Sequence, residues 1–292
     1  HGKHRWALGL ALLAGLVWQS YPEPAAGAAP EPPAKAARAI LDATGVQGGL
    51  VVHLGCGDGK LTAALHAGNA YLVHGLDADA ENVRAAREHV RSQGVYGPVS
   101  IEQLDGSRLP YVDGLVNLVV AEDLGDVPMD EVLRVLCPEG AAYVQQDGRW
   151  QKTVKARPEA IGEWTHYLYD ATGNAVSQDM VVGPPRHFQW LGSPRWARHH
   201  DRRASVSAMV SAGGRTFYIF DEGSTASIML PPKTKLIARD AFNGMILWKR
   251  DIPEWFPHLW PFKSGPAQLQ RRLVAAGATA YATLGQAAPL LA

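Results

Sequence analysis

The sequence predicts two units, an α/β domain built on a parallel sheet and, after it, an all-β region. Three observations carry this. Strand-like and helix-like segments alternate from Ala36 to Gln146, the pattern of right-handed crossovers between parallel strands. Past Gly148 the helical period is lost, and short strand-like runs are separated by Gly213-Gly214, Pro231-Pro232, Asn243-Gly244 and Gly277. Charge divides the same way: residues 1–150 carry 11 Lys and Arg against 18 Asp and Glu, and residues 151–292 carry 17 against 10. Such asymmetry points to two units of different kind. The apolar fraction of 47% is ample for a core. The arginines form no stripe of the sort that tracks nucleic acid, so no nucleic-acid partner is expected.

The N-terminus reads as an address. Lys3 and Arg5 precede the apolar "WALGLALLAGLVW", and "AAGAA" follows. A basic start, a short apolar stretch and small residues make a secretory signal peptide, placed at 1–28. The run is shorter than the ~20 residues of a comfortable membrane span, and an uncleaved anchor is the rival reading. Residues 29–35 read as a proline-rich linker. The expected location is periplasmic or secreted, with no membrane span beyond this segment.

Residues 36–150 form the first domain. "AKAARAILDATG" is a helix stopped by Gly45, "GLVVHLG" a buried strand, and "KLTAALHAG" a helix. "AYLVHGLD" and "AENVRAAREHVRSQG" repeat the pair, and "VSIEQLD" and "GLVNLVVAED" are further strands. "MDEVLRVLCPEG" is a helix and "AAYVQQ" the fifth strand, after which no sixth or seventh strand is legible. The turn "GCGDG", Gly55 to Gly59, follows the first strand directly. Glycines there let backbone approach a ligand, and the next helix start offers free N–H groups. Asp77 ends the second strand, where a carboxylate can accept ribose hydroxyls.

These residues resemble the class I S-adenosylmethionine-dependent methyltransferases, over roughly residues 36–148. "VVHLGCGDGK" is similar to their first motif, "HGLDAD" to the ribose-binding second, and "EQLDGSRLPYVDGLVNLVV" to the third and fourth. "VLRVLCPEGAAYV" is similar to their proline-glycine-glycine turn. The resemblance implies a Rossmann-like fold and S-adenosylmethionine as cofactor. It implies cofactor contacts from Gly55, Cys56, Gly57, Asp58, Gly59, Asp77, Ala78, Asp105, Gly106 and Glu122. Two departures stand out: His53 occupies the place of the usual first-motif acid, and Asn117 that of the Asp that usually starts the fourth strand. No Asn-Pro-Pro-aromatic motif follows that strand. Glu122 and Asp123 sit there instead, as candidates for a general base. His53 itself reads as a satisfied strand-end histidine.

Residues 151–205 form a Trp- and His-rich connecting segment. His166, His187, His199, His200, Asp170 and Asp201 lie close in sequence but lack metal-ligand spacing, so no metal is expected. Residues 206–292 contain a repeat: "MVSAGGRTFYIF" aligns with "LVAAGATAYATL" about 64 residues on. "ARDAFNGMILWKRDI" resembles the tryptophan-docking repeat of pyrroloquinoline-quinone-type propellers, filled by Ala238, Asp240, Gly244 and Trp248. The resemblance implies a partial, truncated β-propeller whose remaining blades lie outside this chain. In such repeats the Gly makes the turn and the Trp packs between blades; the quinone itself is not expected to bind.

The leading functional reading is a methyltransferase acting on a small-molecule or protein acceptor. The alternative is a non-catalytic exported binding scaffold with a vestigial methyltransferase fold, and the third is a quinoprotein-type oxidoreductase. Cys56 and Cys137 fall at opposite edges of the predicted parallel sheet, so no disulfide between them is expected.

Overall fold

A computed structural model describes residues 32–184, 188–194, 196–198, 205–227, 229–253, 255, 269–285 and 288–292. The proposed signal peptide lies outside them, as do His187, His199, His200 and Asp201. Among the described residues no helix is long and apolar enough to cross a membrane.

The first unit opens with α1 (Pro33–Thr44). Pro33 takes the first helical position, where its missing N–H costs nothing, so the helix claims the last residues of the expected linker. There follow β1 (Gly49–Leu54), α2 (Lys60–Leu65), β2 (Tyr71–Asp77), α3 (Ala80–Ser92), β3 (Val99–Gln103), β4 (Val116–Ala121), α4 (Met129–Val135) and β5 (Leu136–Gln146). β1 to β5 are parallel neighbours in the order β3-β2-β1-β4-β5. Residues of β1 alternate between the two faces. Val51 packs with Ala37, Ile40, Leu65, Val83 and Ala86 of α1, α2 and α3. Leu50, Val52 and Leu54 pack with Val132 and Val135 of α4 on the other face. Both layers are covered, which is why every residue of β1 is buried.

The sheet does not end at residue 150. β6 (Arg149–Val154) runs antiparallel to β5 and forms the outer edge. The reversal is a two-residue turn, Asp147 and Gly148, with φ of 50° and 74°. An Asp-Gly pair with both φ positive is a strong hairpin former. The expected boundary at 150 therefore cuts a strand, and a sixth strand exists where none was legible. β6 is exposed along most of its length, so it lacks the apolar alternation that marks a strand in sequence.

The all-β expectation holds beyond. β7 (Val206–Ala212), β8 (Arg215–Asp221), β9 (Thr234–Asp240) and β10 (Ile246–Asp251) form an antiparallel meander. After a 3₁₀ turn at Gln270–Arg272, β11 (Leu273–Ala276), β12 (Thr279–Thr283) and β13 (Leu290–Leu291) form a second antiparallel sheet. The repeat noticed in sequence corresponds to the hairpins β7-β8 and β11-β12. Their turns touch: a Cβ on Gly213 would lie 2.8 Å from the Gly277 carbonyl oxygen. Phe217, Ile219, Leu236, Leu273 and Ala275 share one core between the two sheets. The connecting segment threads between them, since Ser211 N–H donates to Trp164 O and Ala275 N–H to Thr165 O.

The β9-β10 connection is a hairpin, as Asn243-Gly244 suggests, but its loop is four residues long rather than two. Asp240 N–H donates to Met245 O, and the Asp240 carboxylate accepts from the N–H groups of Phe242 and Asn243. Gly244 has φ +73°, and Trp190 lies so close that any Cβ there would overlap its ring. Trp248 lies beside Phe217, ring centroids 6.0 Å apart, and faces residues of β12 across a cavity of about 400 Å³.

This loop docks on the first unit. Asn117 lies where the β4-β5 register shifts, between Val116 and Leu118. Its Oδ1 accepts from Leu50 N–H at 2.8 Å and Asn243 Nδ2 at 2.5 Å, and its Nδ2 donates to Asp240 Oδ2 at 2.6 Å. The departure at Asn117 is thus the joint between the parallel sheet and the antiparallel region. It stands at the amino-terminal edge of the sheet.

Candidate cofactor site

The opposite, carboxyl-terminal edge gathers the sequence-predicted residues. β1 and β4 diverge in connection here, and such a switch point is where open α/β sheets bind ligands. The turn after β1, Asp77 at the end of β2, Asp105 just past β3, and Glu122 just past β4 all lie on this edge.

The glycines divide into two roles. Gly55 and Gly57, with φ of 66° and 52°, have open or nearly open space where a Cβ would point. Gly106, with φ 82°, is likewise open. Gly59 is different. It is buried, and a Cβ there would meet Ala86 Cα at 2.8 Å. Gly59 lets the turn pack on α3. Cys56 is also turned inward: it is 3% exposed, and its Cβ lies close to Gly75. Burial, reinforced by the Asp77 charge, pushes its thiol up to about 12.

Asp77 faces the turn. Its Oδ2 accepts from Gly57 N–H at 2.8 Å, while Oδ1 accepts from Asp79 N–H at 2.9 Å and Asn82 Nδ2 at 3.2 Å. A carboxylate offers about four acceptor positions, so one remains for a ligand. Asp79 caps α3 by accepting from Glu81 N–H. Asn82 was not singled out in sequence, although an Asx residue in the first turn after an Asp cap is a position that reaches back. Ala78 is exposed, and its carbonyl accepts from Gln103 Nε2 at 3.1 Å. Asp58 is drawn to Lys60, which donates to it from backbone N at 3.1 Å and lies 2.7 Å away through Nζ. That bond holds the Asp58 carboxyl below the usual range.

His53 is a satisfied strand-end histidine. It is 4% exposed, and its Nδ1 meets Thr62 Oγ1 of α2 at 2.8 Å. Burial lowers its pKa to about 4, against a smaller raising influence of Asp77. It is neutral at pH 7 and ties β1 to the helix that begins after the glycine turn. Asp105 and Glu122 are exposed, with no hydrogen-bond partner among the described residues. Asp123 instead accepts from Gly125 N–H at 2.9 Å and shapes the loop. Of the two candidate bases, only Glu122 keeps its carboxylate free. Among the described residues no group of three or more His, Cys, Asp or Glu could hold a metal ion. His166 is bonded to Thr165 Oγ1, and Asp170 to Thr172.

Residues 51–140 match the family model of a methyltransferase domain. Two curated proteins each align with about a third of the chain. Methyltransferase GfsG of Streptomyces halstedii is 34% identical over 96 residues, which is 31% of this chain and 34% of that protein. The demethylmenaquinone methyltransferase of Lactobacillus johnsonii is 33% identical over 101 residues, 32% of this chain and 41% of that protein. The aligned stretch thus spans well under half of either relative. Among solved structures, geranyl diphosphate C-methyltransferase from Streptomyces coelicolor A3(2) is 21% identical at a TM-score of 0.34. That alignment covers 38% of this chain and 44% of that one. A SAM-dependent methyltransferase from Aquifex aeolicus is 20% identical at a TM-score of 0.34, covering 37% and 62%. The first unit has the Rossmann-like methyltransferase fold, and antiparallel sheets follow it.

Proposed function

We propose that the first unit binds S-adenosylmethionine at its carboxyl-terminal edge and methylates a small-molecule or protein acceptor. The family match supports this cofactor. The observation that carries the reading is the pairing of Gly57 N–H with Asp77, beside the open faces of Gly57 and Gly106. This is a strand-end carboxylate held against a glycine turn, with open space beside the glycines. Asp77 would accept a ribose hydroxyl, Gly55 and Gly57 would let the amino-acid end approach the backbone, and Asp105 with Gly106 would meet the adenine.

S-adenosylmethionine supplies a methyl group already activated by its sulfonium. The chain's own task is then to hold an acceptor in line and remove its proton. The free carboxylate of Glu122 would take the proton released by an acceptor O–H or N–H. Neutral His53 stiffens the strand that presents the turn.

The antiparallel sheets are read as propeller blades. A four-stranded meander, a second hairpin of the same sequence pattern, and the contact of Gly213 with Gly277 support that reading. Trp248 of β10, lining one cavity with residues of β12, supports a docking role between blades. Export to the periplasm or beyond rests on the N-terminal sequence alone. One observation favours the scaffold alternative: three protein groups already occupy Asp77.

Thermal denaturation with and without S-adenosylmethionine separates the two. A ligand at a hundred times its dissociation constant adds about 2.7 kcal/mol, a plain upward shift. No shift with either S-adenosylmethionine or S-adenosylhomocysteine would leave the scaffold reading.

A further inference from the structure

A second site is formed far from the cofactor edge, where the antiparallel sheets meet the amino-terminal edge of the parallel sheet. A cavity of about 300 Å³ lies there, lined by Gln47 and Gly48, by Glu139 and Gly140, by Gly214 and Arg215, and by Phe242 and Trp248, among others. That volume is at the lower end of small-molecule pockets, which prefer interfaces between units.

Two charged residues in its wall keep hydrogen-bonding capacity, although the Arg215 charge also acts on Asp240. Arg215 is half-buried, yet its guanidinium makes one hydrogen bond, from Nη1 to Gly213 O at 3.1 Å. Four of its five N–H donors are therefore uncommitted. Glu139 is exposed, and its carboxylate has no hydrogen-bond or ion-pair partner among the described residues. Its backbone is held at φ +64°, a left-handed conformation that favours glycine and that few non-glycine residues adopt. A glutamate held there against backbone preference is a reason to look for a ligand. Glu139 and Arg215 line one cavity without forming an ion pair with each other. Asp240 also lines it, but its oxygens are taken by Asn117, Phe242 and Asn243. Phe242 and Trp248 supply aromatic surface.

We propose that this cavity binds a free α-amino acid with an aromatic or long apolar side chain. Arg215 would take the carboxylate, Glu139 the ammonium, and Phe242 with Trp248 the side chain. A zwitterion answers both charges at once.

Calorimetry on the full chain tests this with three probes: L-phenylalanine, L-phenylalaninamide, which lacks the carboxylate, and 3-phenylpropionate, which lacks the ammonium. Saturable binding of L-phenylalanine is expected, with both analogues weaker by roughly tenfold or more. Glu139→Gln and Arg215→Met should each weaken L-phenylalanine to a similar degree. Glu139→Gly should abolish its binding while raising the melting temperature of the free protein, because glycine accepts the left-handed backbone. The S-adenosylmethionine response should be unchanged in all three variants, which separates this site from the cofactor edge. No saturable heat with L-phenylalanine at millimolar concentration overturns the proposal. So does equal binding of 3-phenylpropionate, or unchanged affinity in Glu139→Gln and Arg215→Met. The comparison of probes on the unaltered chain stands even if a variant fails to fold.

Discussion

Asn117 Nδ2 donates to Asp240 Oδ2 at 2.6 Å, across 123 positions of sequence. The same Asn117 accepts from Leu50 N–H and from Asn243 Nδ2. Amide and carboxylate are matched as donor and acceptor, and burial of Asp240 raises its pKa from the ordinary carboxylate value. Asn117→Asp, the residue usual at this position in the resembled family, would set two acceptors face to face in a buried place. Leaving buried polar groups unsatisfied costs about 1–3 kcal/mol each. Asn117→Asp should therefore destabilise the chain more than Asn117→Ala. The double variant N117D/D240N exchanges carboxylate and amide, so donor and acceptor face each other again. It should recover most of the loss. Urea unfolding of the three variants checks the order, and a double variant no more stable than N117D would refute the pairing.

His53 makes stability depend on pH. Its pKa is 6.5 when unfolded and about 4 when folded. Protons bind the unfolded chain first as pH falls. The contribution of a neutral His53 is thus complete above pH 6.5 and is lost progressively between 6.5 and 4. A shift of this size corresponds to roughly 3 kcal/mol. His53→Gln keeps a polar group near Thr62 without the titration. Denaturant midpoints at pH 7.5 and 4.5 should differ less in the variant than in the parent; an equal difference would count against the buried neutral histidine.

The alternation of strand and helix was legible because each buried strand and amphipathic helix announces its period locally. What was not legible depended on distance. Asn117 could be seen only as a departure, since its partners at 240 and 243 come from another sheet. Gly57 and Gly59 look equivalent in "GCGDG", and only the approach of Ala86 on α3 separates them. The sixth strand did carry a local signal, Asp147-Gly148, but its exposed Lys- and Arg-bearing side chains hid the strand that follows. At the cofactor edge, Asp77 and the glycine turn were readable from motif order. Asn82 was not, because its role is to reach back to Asp77 from the first turn of α3.

Cys56 and Cys137 are both free and buried. Cys56 follows the carboxyl end of β1, and Cys137 sits near the amino end of the β4-β5 pairing. Burial first, and nearby carboxylates second, push both thiols up to about 12. Thiolate is the reactive form, so both should resist a disulfide-exchange reagent in the native protein. Denaturation without reductant should release two titratable thiols. Fast labelling of either in the native state, or fewer than two after denaturation, would contradict this placement.

Asp77→Ala should abolish the response to S-adenosylmethionine. Hydrogen bonds to a charged group are worth about 1.5–3 kcal/mol, and the Gly57 turn also loses its tether. Asn82→Ala removes only one of the three bonds to Asp77, so it should weaken binding less. Calorimetric titration of both variants gives the order, and unchanged affinity in Asp77→Ala would move the cofactor elsewhere.

The two roles within the glycine turn predict opposite outcomes for the same substitution. At Gly59 an added methyl would meet Ala86 Cα at 2.8 Å, and φ is +75°. Neither neighbour is the far end of a flexible side chain, so α3 or the turn must shift. The left-handed backbone alone costs about 1–2 kcal/mol for a residue with a Cβ, and overpacking adds a further ~1–3 kcal/mol. Gly59→Ala should therefore lower the unfolding free energy markedly. At Gly57 the methyl enters open space and φ is +52°. Gly57→Ala should cost only the backbone share, but it places a methyl where the cofactor must approach the turn. Its melting temperature should stay nearer the parent's, while its stabilisation by S-adenosylmethionine is lost. Parallel melts of both variants with and without the cofactor decide the matter. If Gly59→Ala proved the more stable of the two, the packing of the turn on α3 would be wrong. If Gly57→Ala kept the full shift with cofactor, that glycine would lie outside the site.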